Sequence, residues 1–214
     1  MDLFASVDPD GGRVALGPGA LLLPGFALLL ADAVRDDLAR ITALSPFRRM
    51  ETPGGFRMSV AMSNCGAAGW TTDRRGYRYR HEDPLTGARW PAMPASWHAL
   101  ARNAAEAAGY AGFDPDACLI NEYAVGARMS LHQDRNERDL AQPVVSASFG
   151  LPATFLFGGL ARTDRPRRVP LAHGDVVVWG GATRLAFHGV APLRAGEATD
   201  FGARRINLTF RKAL

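Results

Sequence analysis

The 214-residue sequence predicts a mainly β domain with flanking helices, an α+β arrangement built on a double-stranded β-helix of jelly-roll type. Three observations carry this expectation. Two stretches of helical periodicity lie in the first half of the chain. The second half is a succession of short apolar runs separated by Gly, Pro, Asn and Asp. The last of these runs, residues 205–211, alternates strictly between apolar and polar side chains. No internal repeat or low-complexity linker divides the chain. It therefore reads as a single domain, 1–214, with an N-terminal extension to about residue 110 and a β core over about residues 111–214.

In chain order, the first 19 residues are rich in Gly, Pro and Asp and are expected to run along the surface, and residues 20–23 read as a short strand. Between residues 28 and 44, Val34, Leu38 and Ile41 recur at helical spacing, and Pro46 stops the helix. Residues 48–95 mix eight arginines with Trp70, Tyr77, Tyr79 and Trp90, and a short strand is expected at 58–62. A second helix is expected over residues 96–108, capped by Ser96, with Trp97, Leu100, Ala104 and Ala108 on one face and Gly109 at its end. Strands follow at 117–123, 144–149, 153–157, 168–171, 175–179, 185–188 and 205–211.

With 47% hydrophobic residues the chain can bury a full core, which excludes global disorder. The formal charge of +4 is compatible with a polyanionic partner, although every base except Lys212 is arginine and that bias can reflect genome composition. Two cysteines, Cys65 and Cys118, make no disulfide framework and fit a reducing compartment. The apolar run 20–31 is too short to span a bilayer and is broken by Pro24 and Gly25. Asp2, Asp8 and Asp10 before it are wrong for a secretory signal. A cytoplasmic protein with no membrane association is expected.

His132-Gln-Asp134 places an imidazole and a carboxylate two residues apart, and on an extended strand both face one side. His188 ends a later apolar run and can complete the set. Two histidines and one carboxylate on one face of an octahedral ion leave three adjacent positions free, as in non-haem iron(II) oxygenases. The spacing alone also fits satisfied structural polar residues. A second H-x-D motif, His81-Glu-Asp83, precedes Pro84 in a turn-like stretch and reads as surface, and His98 and His173 read as ordinary structural histidines. The last strand bears on the choice. Ile206, Leu208 and Phe210 face one side; Arg205, Asn207, Thr209 and Arg211 face the other. If that second side is interior rather than solvent, its guanidiniums need an anion, and a dicarboxylate held by arginine forks would satisfy them. Asn121 and Tyr123 form another i, i+2 pair able to add hydrogen bonds.

These residues resemble those of the AlkB-type nucleic-acid dealkylation enzymes, within the iron(II)/2-oxoglutarate dioxygenases. The resemblance covers nearly the whole chain. It is carried by Thr52-Pro-Gly-Gly, Asn64-Cys-Gly, Gly69-Trp-Thr-Thr, Trp90-Pro-Ala-Met-Pro, Leu131-His-Gln-Asp, His173-Gly-Asp-Val-Val-Val-Trp-Gly-Gly and Asn207-Leu-Thr-Phe-Arg, among others. It implies that His132, Asp134 and His188 bind iron(II). Asn121, Tyr123, Arg205, Asn207 and Arg211 would hold 2-oxoglutarate, with O2 as the other co-substrate. It further implies substrate contacts from Trp70, Tyr77, Arg78, Asn136 and Arg162, and a nucleotide-recognition lid at Thr52, Pro53, Gly54, Gly55 and Phe56. The expected substrate is alkylated DNA, single-stranded, or RNA, repaired by oxidative demethylation, and the expected state is a monomer. A hydroxylase of a protein or small molecule, or a jelly-roll metal module without turnover, are the competing readings. Two positions depart from the family pattern. Asn136 stands where a second carboxylate often sits, and Phe56 replaces a tyrosine at the lid tip. The Asn136 amide oxygen can still accept a hydrogen bond but supplies no net charge.

Overall fold

The computed structural model describes residues 12–214, so the expected surface course of residues 1–11 lies outside the described residues. In order, the elements are β1 (Val14–Gly17), β2 (Ala20–Leu23), α1 (Ala31–Leu44), β3 (Ala61–Gly66), β4 (Gly69–Asp73), β5 (Gly76–Arg80), α2 (Ala95–Ala107), β6 (Ala117–Tyr123) and β7 (Met129–His132). They continue as β8 (Val144–Gly150), β9 (Ala153–Phe157), β10 (Arg167–Leu171), β11 (Val176–Trp179), β12 (His188–Val190) and β13 (Arg205–Arg211). Seven strands form one sheet in the order β1-β2-β11-β8-β13-β6-β3, and four form a second in the order β10-β9-β12-β7. Strands β4 and β5 make a separate hairpin.

The period-2 alternation of the large sheet sorts its side chains into two cores. One face sends Cys118, Ile120, Val145, Ala147, Val176, Val178, Ile206, Leu208 and Phe210 against the helices. Helix α1 meets them with Val34, Leu38 and Ile41, and α2 with Trp97, Leu100, Ala101, Ala104 and Ala105. The opposite face sends Leu119, Tyr123, Val144, Val177 and Trp179 into a second core shared with Phe155, Phe157, Val169, Leu171 and Val190 of the small sheet. The sandwich lies between the sheets, and the helices cover its back. Strands β1 to β3 belong to the large sheet, so the chain before residue 110 is woven into the same layers as the chain after it.

Both helices end as local chemistry dictates. Ser45 terminates α1, its N–H donating to the Ile41 carbonyl, and Pro46 prevents continuation. Gly109 ends α2 with φ +88°, and the Tyr110 N–H reaches back to the Ala105 carbonyl at 2.8 Å. The expected Ser96 cap is corrected. Pro94 holds the capping position, and the Ser96 hydroxyl instead donates to Asp37 on α1 at 3.0 Å. The strand expected at 58–62 lies at 61–66, and the one expected at 185–188 begins only at His188. Asp83 of the second H-x-D motif is also not at the surface. Its carboxylate is buried and accepts hydrogen bonds from Ser45 and Arg48, while His81 and Glu82 are exposed.

Candidate active site

Strands β7 and β12 pair so that His132 and His188 are direct cross-strand partners, with ring centroids 4.4 Å apart. Asp134 lies two residues beyond the end of β7. Its Oδ1 is 3.7 Å from His132 Nε2, and its Oδ2 is 3.6 Å from His188 Nε2. One ligand atom from each of the three residues lies within 4.8 Å of the other two. The other ring nitrogens are already occupied. His132 Nδ1 is 2.9 Å from the Ser130 carbonyl and His188 Nδ1 is 3.0 Å from the Ala186 carbonyl. A carbonyl accepts, so each Nδ1 carries the hydrogen and each Nε2 turns a lone pair toward the aspartate.

The charge states suit a cation. Burial alone would raise Asp134, but the Arg211 guanidinium and both imidazoles hold it well below the usual carboxylate range. Burial and the neighbouring His132 push His188 down to about 4, so it is a neutral donor at physiological pH. The donor set of two imidazoles and one carboxylate fits iron(II) with three adjacent positions left free.

The polar face of β13 points into the sandwich. Arg205, Asn207, Thr209 and Arg211 are all buried and, with Asn121, Tyr123, Ser146 and His188, line a cavity of about 50 Å³ beside the histidines. Arg205 is 1% exposed and lies over the Tyr123 ring at 5.0 Å. Its Nη2 donates to Ser148 Oγ at 3.0 Å, whereas its Nε and Nη1 have no partner among the described residues. Asn121 Oδ1 is likewise without one. Buried guanidinium nitrogens without acceptors call for an anion, and a dicarboxylate matches the fork. Asn207 is occupied differently. Its amide donates to Ser146 Oγ and the Ala147 carbonyl and accepts from Thr209, which fixes the floor of the cavity. Arg211 donates from Nε and Nη2 to Asp134 Oδ2 at 2.9 and 2.7 Å.

A second, wider cleft of about 830 Å³ opens from His132 and Asp134 to the surface. Trp70, Tyr77, Asn136, Arg162, Thr52 and Phe56 line it, together with Arg57, Arg128 and Arg135. The Trp70 and Tyr77 rings stack with centroids 5.6 Å apart. Asn64 fixes the backbone of Trp70 by a reciprocal pair, donating to its carbonyl and accepting from its N–H, both at 3.0 Å. Within the expected lid, Thr52 N–H bonds to the Phe56 carbonyl across a tight turn, with Gly55 at φ +80°. Pro53, Gly54 and Gly55 make that turn and do not line the cleft. Arg78 stands apart. It is tied to Asp73 on its own hairpin and faces neither cavity.

Sequence reasoning missed a buried support beneath the aspartate. Arg184 donates to the Asp134 carbonyl at 2.6 Å, to the Gln142 carbonyl at 2.8 Å and to Glu137 Oε2 at 3.0 Å. Glu137 also accepts from the Tyr79 hydroxyl at 2.6 Å. Neither Arg184 nor Glu137 lies at a strand-periodic position, and no spacing in the sequence links them.

A family model described as the 2OG-Fe(II) oxygenase superfamily matches residues 19–211. The Alpha-ketoglutarate-dependent dioxygenase AlkB of Salmonella typhimurium is 56% identical over 213 residues, which cover 100% of this chain and 98% of that protein. The chain belongs to the AlkB branch of the 2OG-Fe(II) oxygenases. A more distant AlkB-type relative, the Arabidopsis thaliana protein named DNA N(6)-methyladenine demethylase ALKBH1C, is 32% identical over 91% of this chain and 50% of its own length. The solved structure of OsALKBH1 superposes with a TM-score of 0.80 at 30% identity, covering 94% of this chain and 99% of that one. As an AlkB-type enzyme, the protein is a dioxygenase that uses Fe(II), 2-oxoglutarate and O2. The donor set and the orphaned Arg205 nitrogens fit both the metal and the dicarboxylate.

Proposed function

We propose that this dioxygenase removes alkyl groups from ring nitrogens of nucleic-acid bases, such as 1-methyladenine and 3-methylcytosine, in DNA or RNA. The observation that carries the reading is the cleft walled by aromatic and arginine side chains that opens onto the histidine–aspartate set. The relative named as a DNA demethylase supports the same substrate class.

In this reading His132, Asp134 and His188 hold the iron through both Nε2 atoms and the carboxylate. Arg205 holds one carboxylate of 2-oxoglutarate, with Asn121 and Tyr123 beside it, while Asn207 and Arg211 fix the surrounding polar groups. The bound iron and 2-oxoglutarate supply the oxidation that converts the N-methyl carbon and O2 into formaldehyde, with succinate and CO2 as co-products.

The protein's own part is positioning. The methylated nitrogen lies on the Watson–Crick edge, so the base must leave a duplex stack or come from a single strand. Trp70, which lines the same cleft as His132, offers a ring for stacking, worth about 1–3 kcal/mol per base. Its backbone is fixed by Asn64, and its ring stacks with Tyr77. Arg57, Arg128, Arg135 and Arg162 supply charges for phosphates, and residues 52–56 form the lid edge. The buried Arg184–Glu137–Tyr79 group keeps the segment after β7 in place, so that the aspartate stays aimed at the imidazoles. We further infer a cytoplasmic monomer acting on single strands. The two free, buried cysteines support a reducing compartment, and among the described residues no helix is long and apolar enough to cross a membrane.

The test is mass spectrometry of a single-stranded oligonucleotide carrying one 3-methylcytosine or 1-methyladenine. It is incubated with the enzyme, iron(II), ascorbate and 2-oxoglutarate. The expected result is loss of the methyl group with matching succinate. Consumption of 2-oxoglutarate with an unaltered oligonucleotide would overturn the nucleic-acid reading.

A further inference from the structure

Strand β10 is the outer edge of the small sheet, and its first residue shares a register row with the two histidines of the metal set. Arg167 is opposite Phe157, Phe157 is opposite His188, and His188 is opposite His132. Three strand steps of about 4.8 Å put the start of β10 about 14 Å from His132. The loop that leads there, residues 158–166, leaves from the cleft wall, where Arg162 lies over the Phe187 ring at 5.7 Å. This loop is tied down along its length. Gly158 N–H donates to the Phe187 carbonyl at 2.7 Å, and Phe187 N–H donates to the Gly159 carbonyl at 2.8 Å. The Asp164 carboxylate accepts from the Ala161 N–H at 3.0 Å. At the far end Arg167 Nη1 donates to the Ala15 carbonyl of β1 at 3.0 Å.

This braced stretch carries four exposed arginines, Arg162, Arg165, Arg167 and Arg168, against one acid, Asp164. None of the four has a carboxylate within 4.0 Å among the described residues, whereas Arg35 on α1, Arg74 and Arg78 on the β4–β5 hairpin and Arg204 before β13 each do. Arg168 alternates with the buried Val169 and so belongs to the outer face of the sheet. Leu160 stands in the same loop with 61% of its surface exposed. Cations that no acid neutralises, mounted on a fixed backbone, have little ordering cost to meet when an anion arrives. We propose that the β9–β10 loop and the start of β10 form a track for the single strand that flanks the target nucleotide. Arg162, Arg165 and Arg168 take its phosphates, and Leu160 lies against an unpaired base. The proposal rests on the base-demethylation reading above and adds where the strand runs once it leaves the cleft. The occupant is a single strand because the surface joins charge to an exposed apolar side chain. A single strand offers phosphates and open base faces together, whereas a duplex keeps its base faces stacked inside and presents phosphates alone.

The experiment uses fluorescent single-stranded oligonucleotides that carry one 3-methylcytosine: a pentamer, and longer strands that extend it on the 5′ side or on the 3′ side. Binding to the full-length enzyme with iron(II) and 2-oxoglutarate is measured by anisotropy without oxygen over a salt series, and demethylation is followed in air. One extension, and not the other, is expected to raise affinity and to steepen the salt slope by about 2, from three phosphates at about 0.7 each. The gain from that extension should then shrink about 20-fold between 50 and 200 mM salt. Arg165→Gln combined with Arg168→Gln should flatten the added slope by about 1.4, so that the remaining gain shrinks only about threefold. Both side chains are exposed, so the thermal melt and the binding of the pentamer should match wild type. A gain that survives the double substitution, equal gains on the two sides, or a gain that appears only after a complementary strand is annealed overturns the track and leaves the demethylase reading standing. Consumption of 2-oxoglutarate with no strand of any length demethylated overturns that reading, and the track with it.

Discussion

Arg205 shows how much a single side chain can commit a fold to a ligand. It is buried at the start of β13 with two guanidinium nitrogens unpaired, and burial pulls its pKa below the ordinary value. Replacing such a charge with an apolar side chain of similar length is often neutral or stabilising. Arg205→Met is therefore expected to raise the melting temperature of the ligand-free chain, by an amount equivalent to about 1–4 kcal/mol. The same change should raise the KM for 2-oxoglutarate by at least about 30-fold, since truncating a buried charge partner removes 2 kcal/mol or more. Thermal melts beside succinate assays check this; a destabilised variant with an unchanged KM would make the guanidinium structural. His132 offers the complementary case. Its side chain is 39% exposed, so His132→Ala should fold normally while succinate formation drops more than about 100-fold. A variant that keeps both its melt and its turnover would remove His132 from the metal set. The alternation of residues 205–211 put Arg205 and Asn207 on one face from sequence alone. What they touch there, Ser146 and Ser148 of β8, was not legible, because cross-strand partners depend on register.

At the scale of elements, the segment between α1 and α2 was the hardest to read. The hairpin β4–β5 has no apolar alternation. Its sequence mixes Gly, Arg, Tyr and Asp, and its rigidity comes from outside it, through Asn64 and the Trp90 ring packed against Gly69. A Cβ at Gly69 would lie 2.4 Å from that ring, which explains the glycine. The two helices and most later strands were legible because their periodicity is set by burial on a single face. The edges of β3 and β12 were not, since pairing partners decide where a strand starts. Asp83 illustrates the difference. It looked like part of a surface motif, yet it joins the segment to the end of α1 through Ser45 and Arg48. Asp83→Ala should destabilise the protein by about 3 kcal/mol, because it strands the Arg48 charge. Burial alone would raise the Asp83 pKa, but Arg48 and the Leu85 N–H hold it below the ordinary carboxylate value. A lowered folded-state pKa gives stability that is present above the unfolded value near 4 and is lost as pH falls through the folded one. Urea unfolding between pH 7 and pH 3 should therefore show a shallower acid loss in Asp83→Ala than in wild type. Parallel pH curves for the two proteins would mean that this carboxylate is not an anchor.

The whole molecule divides its labour between two faces of one sheet. The face toward the helices is mainly apolar, and the face toward the small sheet carries the charged cavity. That division lets a rigid back hold a polar interior, and it is visible in the sequence once both faces of β13 are known to be buried. The cleft beyond is different in kind. Its cations come from four separated stretches, at Arg57, Arg128, Arg135 and Arg162, all exposed. No motif in the sequence gathers them, and net charge of +4 barely hints at them. If they receive phosphates, binding of a methylated single strand should be strongly salt-dependent, with log K falling by about 0.7 per phosphate for each unit of log salt. Two to four contacts give a slope of about −1.5 to −3, hence a loss of about 10- to 60-fold between 50 and 200 mM salt. Arg128→Gln combined with Arg162→Gln should flatten that slope by about 1.4 while leaving 2-oxoglutarate affinity unchanged. Both effects follow from position, since these two side chains line the outer cleft and lie away from the inner cavity. An unaltered slope would show that the strand passes elsewhere on the surface, and a matching loss of 2-oxoglutarate binding would show that the two cavities are coupled rather than separate.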